Sequence, residues 1–304
     1  KVLTQPEVKG DESIENALTF KHGPDSSFTF NTGMFKGTLR KDGKSNGIVP
    51  LIYIADSSDV TYGEGLFNHY RVFTRGKRYG YGARQWPSSA TLCEDGSVEV
   101  LWRAEIDRPF ELRASYKWVS PNSFDLVTTV TARENLEAFE VFLASYFAPA
   151  YLDSKVWATK GPRGGPNPQF VRADKELGEW FAFPRDKKAL EIINDGRWNL
   201  EPGPLKWTIM PNYDLPVTIR KDTLTGVTVI MMTKQEHCFG IFTPYSEEKH
   251  MSNYLSLFGY DVKKDESGKA HSRIVILTNP TEKEILEAAN NFLTISSVNY
   301  LRKL

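Results

Sequence analysis

Residues 90–132 read ATLCEDGSVEVLWRAEIDRPFELRASYKWVSPNSFDLVTTVTA. Apolar and polar side chains alternate here with period two. Val98, Val100 and Trp102 share one face, and Phe110, Leu112, Ala114, Tyr116 and Trp118 repeat the pattern beyond the Arg108-Pro109 break. Successive side chains of a strand point to opposite sides of its sheet, so this period marks strands with one buried face. Asp95-Gly96 predicts a hairpin of type I′, because both residues tolerate the positive φ such a turn needs. Pro121-Asn122 reverses the chain again into a strand over 124–132, and residues 138–149 read as a longer strand that is apolar on both faces. The stretch is therefore an antiparallel meander.

The same reading extends in both directions. Strand-like patterns recur at 170–183, 205–209, 217–220, 227–233, 239–243, 254–262 and 272–278. The segment Gly161-Pro-Arg-Gly-Gly-Pro-Asn-Pro168 is a surface loop, since its prolines lack donors and its glycines are flexible. One helix is predicted over 282–293 from the spacing of Ile285, Leu286, Ala289 and Phe292, capped by Asn279 or Thr281. Many strands with one helix predict an all-β fold, a large antiparallel β-sandwich with a short C-terminal helix, as one domain over residues 1–304.

Composition narrows the partners. The chain has 304 residues, 40% hydrophobic and 12% aromatic, enough for a large core. With 38 basic and 38 acidic residues it lacks the basic excess of a general nucleic-acid binder, so no nucleic-acid partner is expected. No apolar run approaches the length that spans a bilayer. Cys93 and Cys238, far apart in strand-like segments, read as buried free thiols. The chain begins at Lys1 without a hydrophobic leader, which fits a trimmed secreted or periplasmic protein. Nucleophile-elbow, Walker, His-Glu-x-x-His and zinc-cysteine patterns are all missing from the sequence, so no cofactor or metal is expected. His237 lies in Gln-Glu-His-Cys, whose consecutive strand residues cannot all face one ion. His22 and His271 read as exposed. Nothing in the pattern specifies an oligomeric state.

Charge is balanced globally but not locally. Residues 65–93, GLFNHYRVFTRGKRYGYGARQWPSSATLC, contain no acid and five bases, Arg71, Arg75, Lys77, Arg78 and Arg84, interleaved with Tyr70, Phe73, Tyr79, Tyr81 and Trp86. Aromatic faces stack on the apolar side of a pyranose, and guanidinium forks grip carboxylate, sulfate or phosphate. The stretch suggests an anionic or sugar-like ligand. Its front part, 68–75, reads as strand residues able to face a groove, and 77–82 as a glycine-punctuated, solvated loop.

The order of parts resembles the galactose mutarotase-like group. The resemblance rests on an early hairpin ending at 48–55, the Asn-His-Tyr-Arg sequence at 68–71 and the Glu94-Asp-Gly-Ser-Val-Glu-Val-Leu-Trp102 hairpin. It also rests on the meander ending in Val141-Phe-Leu-Ala-Ser-Tyr-Phe-Ala-Pro-Ala150 and on the C-terminal helix. It implies a β-supersandwich with a sugar site in the concave groove of one sheet, worked in mutarotases by a Glu base and a His acid. The strand that should carry that histidine corresponds here to Ala144-Ser-Tyr-Phe-Ala-Pro149, which has none.

Three functions follow as expectations. A mutarotase-like epimerase would use His69 as acid and Glu64, Glu179 or Glu247 as base; Glu247 and Glu248 enter because the family often places a site carboxylate in a late loop. A lyase acting on uronates by β-elimination would use Tyr70 or His69 as base, with Arg71 neutralising the sugar carboxylate. A non-catalytic carbohydrate-binding protein would keep the groove alone. Asn68, Arg71, Arg75, Arg84, Trp86, Tyr146 and His250 are the expected substrate contacts.

Overall fold

Period-two alternation becomes strand pairing throughout the computed structural model, which describes residues 18–245 and 251–301. The first strands, β1 (Lys21–His22), β2 (Phe28–Asn31), β3 (Phe35–Leu39), β4 (Ile48–Tyr53) and β5 (Ser58–Asp59), form a five-stranded sheet in sequential order. Next come β6 (Asn68–Thr74), β7 (Lys77–Arg78), β8 (Ser89–Leu92), β9 (Val98–Trp102), β10 (Phe110–Ser120), β11 (Ser123–Ala132) and β12 (Leu136–Tyr146). Beyond them lie β13 (Asp153–Ala158), β14 (Gln169–Arg172), β15 (Trp180–Pro184), the helix α1 (Lys187–Ile193), β16 (Thr208–Ile209) and β17 (Tyr213–Lys221). The chain continues through β18 (Val227–Thr233), β19 (Cys238–Pro244), β20 (Ser252–Val262), β21 (Ser267–Thr278) and α2 (Glu282–Leu301).

Two large sheets make the sandwich. One has nine strands in the order β14-β13-β17-β18-β21-β11-β10-β9-β8, the other seven in the order β16-β15-β19-β20-β12-β6-β7. The quoted meander supplies one edge of the nine-stranded sheet, with Val98, Val100, Trp102, Phe110, Leu112, Ala114, Tyr116 and Trp118 all buried as the alternation requires. They meet Phe139, Val141 and Leu143 of β12 and Leu255 and Leu257 of β20 in the inter-sheet core. The all-β sandwich expected from the sequence is therefore what forms.

Local details differ. In the 93–97 turn only Gly96 has positive φ, at 75°. Gly96 N–H donates to Cys93 O and Cys93 N–H to Ser97 O, so the hairpin is a three-residue loop closed by a left-handed glycine and not type I′. The C-terminal helix starts where expected: Thr281 Oγ1 accepts from Glu284 N–H, and Glu284 Oε2 accepts from Thr281 N–H, a reciprocal cap. It runs on to Leu301, past the expected 293. Its Ile285, Ala289 and Phe292 cover Val217, Ile219, Ile230 and Met232 on the outer face of the nine-stranded sheet. Both cysteines are free, Cys238 buried and Cys93 partly exposed, which corrects the reading of two buried thiols. His271, expected to be exposed, is partly buried. It lies within β21, and its Nε2 is 2.8 Å from Asp125 Oδ2.

The outer face of the seven-stranded sheet matters most for function. Phe73, Phe142, Ala144, Phe242 and Tyr254 form an apolar surface there, covered by Ala189, Ile192 and Ile193 of α1 and by Trp198. The covering segment is anchored by a buried ion pair. Arg197 Nη1 donates to Glu140 Oε2 at 2.7 Å, and Asp195 takes Nε and Nη2. Ser256 Oγ donates to the other Glu140 oxygen at 2.6 Å.

Candidate functional site on the outer face of the seven-stranded sheet

The side chains of β6 divide between two environments because of an irregularity in its pairing with β12. Arg71 lies opposite Phe142 and His69 opposite Leu143, which leaves Tyr70 as an extra residue, a β-bulge. His69 and Val72 point into the inter-sheet core. Tyr70, Arg71 and Phe73 point to the outer face, where they join the Phe142 and Trp198 cluster.

Basic and aromatic side chains cluster at this corner. The Arg71 guanidinium carbon lies 5.1 Å from the Tyr70 ring and 5.5 Å from the Trp198 ring. Arg84 lies 5.0 Å from Tyr70 and 5.1 Å from Tyr81, and Arg78 lies 5.9 Å from Tyr81. Arg78 donates to the carbonyls of Gly80, Tyr81 and Pro202, which ties the β7 loop to the 201–204 segment. Glu64 meets Arg84 at 3.6 Å. Arg71 is 6% exposed, yet its Nε and Nη1 have no hydrogen-bond partner. The indole nitrogens of Trp198 and Trp207, whose rings lie 5.0 Å apart, are likewise buried and unpartnered. Native interiors rarely leave such donors unmet.

Electrostatics agree. Burial pushes the Tyr70 phenol upward, but Arg71, a hydrogen bond with Tyr81 and the charge of Arg78 outweigh it and hold the phenol below the ordinary tyrosine range. Burial, and then repulsion from Arg71, push Arg78 down to about 10. Tyr146 faces the same corner, its phenol raised by burial and by Tyr254 and Tyr70. Tyr62 is 65% exposed, and its N–H donates to the Tyr146 carbonyl, which places it at the rim.

Other expected site residues are elsewhere. His69 is completely buried. Its Nε2 is 2.8 Å from Thr128 Oγ1 of the facing sheet and its ring 5.1 Å from Trp102. Burial drives its pKa down to about 3, so it stays neutral and has no access to a groove. The His69–Glu64 acid–base pair is therefore corrected: the bulge turns His69 inward while Glu64 stays by Arg84. Asn68 is buried, and its Nδ2 donates to the Glu64 carbonyl, bracing the turn and not a ligand. Arg75 is exposed, 3.5 Å from Glu137, and lines a separate concavity of about 210 Å³ with Lys188, Glu191 and Asp261. Trp86 carries the Arg108 guanidinium at 4.1 Å and packs against the core near Phe110. Glu179 enters through its backbone, its carbonyl accepting from Tyr245 N–H. Glu247, Glu248 and His250 lie outside the described residues. Of the expected contacts, Tyr70, Arg71, Arg84, Tyr146 and Glu64 come together.

Arg78, Tyr81, Trp198 and Trp207 were not legible as site residues. A larger concavity, about 670 Å³ and lined by Arg185, Asp186, Lys188, Gln235, Glu236, Gly259 and Tyr260, contains none of these clustered residues. Arg185 there is spent on Asp186 at 2.7 Å. No group of three or more His, Cys, Asp or Glu suited to a metal ion occurs among the described residues. No helix among them is long and apolar enough to cross a membrane.

No family model and no curated protein matches the chain. Solved structures do. The Slr1438 protein of Synechocystis sp. PCC 6803 aligns with a TM-score of 0.50 at 10% identity, over 86% of this chain and 98% of that one. The GalM/aldose epimerase homologue from C. elegans aligns with a TM-score of 0.47 at 7% identity, over 86% of this chain and 99% of that one. A mutant of heparan sulfate lyase HepC from Pedobacter heparinus aligns with a TM-score of 0.46 at 8% identity, over 87% of this chain and 37% of that one. At such low identity the alignment with the Slr1438 protein is a likeness of architecture alone.

Proposed function

We propose that the protein binds an acidic carbohydrate in the cleft formed by Tyr70, Arg71, Arg78, Tyr81, Arg84 and Tyr146. The observation that carries this reading is Arg71, nine-tenths buried between the Tyr70 and Trp198 rings, with Nε and Nη1 unpartnered. A guanidinium held this way is preorganised for a carboxylate or other oxyanion, and the flanking tyrosines offer faces for a sugar ring. With His69 sealed in the core, the mutarotase acid is missing from the cleft, which favours binding over anomer interconversion.

Titration calorimetry with uronate oligosaccharides tests the proposal. The Arg71→Gln protein should bind at least about tenfold more weakly than wild type, the cost of one charged hydrogen bond or more. Equal affinity of the two proteins, or equal affinity for neutral and acidic oligosaccharides, would sink it.

A second reading is favoured by the lowered pKa of Tyr70. In a uronate lyase, the Tyr70 phenolate would take the C5 proton while Arg71 stabilises the charge on the carboxylate. The C4–O bond would then break, leaving a C4=C5 double bond, and the departing oxygen would take up a proton. The same titrated mixtures report on it through ultraviolet absorbance, and a panel of uronates with no absorbance gain excludes it.

A further inference from the structure

We infer that the cleft takes a sugar ligand carrying two negative charges close together. The inference rests on the acidic-carbohydrate reading and adds a count of charges to it. Three guanidinium groups share the corner, Arg71 and Arg84 each about 5 Å from the Tyr70 ring and Arg78 against Tyr81. Arg78 spends Nε, Nη1 and Nη2 on the neutral carbonyls of Gly80, Pro202 and Tyr81, so none of its charge is neutralised. Arg71 has no carboxylate within ion-pair reach among the described residues. Arg84 has one, Glu64, at 3.6 Å and one-third exposed. Glu201, on the covering segment, is exposed, and its Oε2 accepts from the amide of Gly203 at 2.9 Å.

Of the acids among the described residues only Glu64 is in ion-pair contact with the three cations, so two positive charges have no contacting carboxylate in a partly desolvated corner. The exposed Glu201 keeps its charge, but solvent screens it. Arg71 and Arg78 repel each other there. A single carboxylate offsets one of the two charges and a pair of anionic groups offsets both, because each anion favours the charged form of its neighbours. The chemistry shared by the possible ligands is two charges on one sugar or on adjacent sugars. A uronate beside a sulfate ester supplies them on two groups, and a phosphate monoester supplies them on one. Bidentate guanidinium forks suit all of these oxyanions.

The test is calorimetry on the intact chain with four probes: a neutral disaccharide, its uronate, its sulfated uronate and a monosaccharide phosphate. The sulfated uronate or the phosphate should bind at least about tenfold more tightly than the uronate, with a steeper loss of affinity as salt rises. Whichever of the two is tighter identifies whether the charges sit on two groups or one. Arg78→Gln, which removes one of the two uncompensated charges, should abolish the advantage of the second charge, so that singly and doubly charged probes bind alike. Equal affinity for singly and doubly charged probes overturns the two-charge inference while the acidic-sugar reading stands. No binding of any charged probe overturns the reading beneath it.

Discussion

Replacing Arg197 with Met is expected to cost about 3–5 kcal/mol of stability, because it strands Glu140 as an uncompensated buried charge. Both side chains are fully buried in the ion pair, and Arg197 also holds Asp195 and the carbonyl of Ala138. Burial already raises the Glu140 carboxyl above its ordinary value, opposed by Arg197 and Ser256. Removing the arginine raises it further. A carboxyl whose folded pKa exceeds its unfolded one binds more protons in the native state, so stability falls as pH rises through that window. Denaturant unfolding of Arg197→Met should therefore show its largest deficit near pH 8 and a smaller one near pH 5. Adding Glu140→Gln should recover part of the loss. A deficit below about 1 kcal/mol, unchanged by pH, would contradict this role. Since Arg197 is followed by Trp198 in the segment over the cleft, the single variant should also loosen the Arg71 site.

His69 carries the second large effect. Burial lowers its pKa to about 3, from an ordinary value near 6.5. Between those values the unfolded chain binds a proton that the native protein refuses, so stability drops as pH falls from about 6.5 toward 3. The loss amounts to at most about 5 kcal/mol for this one group. The His69→Leu variant should be less stable than wild type at pH 7, where Thr128 loses its partner, by about 1–3 kcal/mol. Its deficit should shrink or reverse by pH 4. Parallel pH curves for the two proteins would show that His69 titrates normally and is reached by water.

These two residues also mark what the sequence discloses. The meander of 90–132 was legible because strict alternation and a glycine turn specify strands with one buried face, and Trp102, Tyr116 and Trp118 are buried as that pattern demands. Local charge alone singled out Arg71 and Arg84, which the fold brings together around the Tyr70 ring. His69 was not, because which face it takes depends on the bulge at Tyr70, and a single inserted residue reverses every side chain beyond it without altering composition. Arg78 reads as a solvated loop residue because its loop is rich in glycine, yet a carbonyl more than a hundred residues away, at Pro202, draws it to the cleft. Trp198 lies in a segment with no strand period and Trp207 in the strand-like stretch 205–209, and only tertiary packing brings both against Phe142 of β12. The hairpin at Asp95-Gly96 failed in type but not in place, since a left-handed glycine serves either turn.

The central claim is that ligand meets the outer face of the seven-stranded sheet at Arg71 and not the inter-sheet histidine. Seven tryptophans report on it through their indole N–H resonances. Trp198 lies 5.5 Å from the Arg71 guanidinium, and Trp102 lies 5.1 Å from the His69 ring in the core. Titrating nitrogen-15-labelled protein with an acidic oligosaccharide should shift the Trp198 signal, and Trp207 beside it, while Trp102 and Trp118 stay fixed. A shift of Trp102 with Trp198 unmoved would contradict the account.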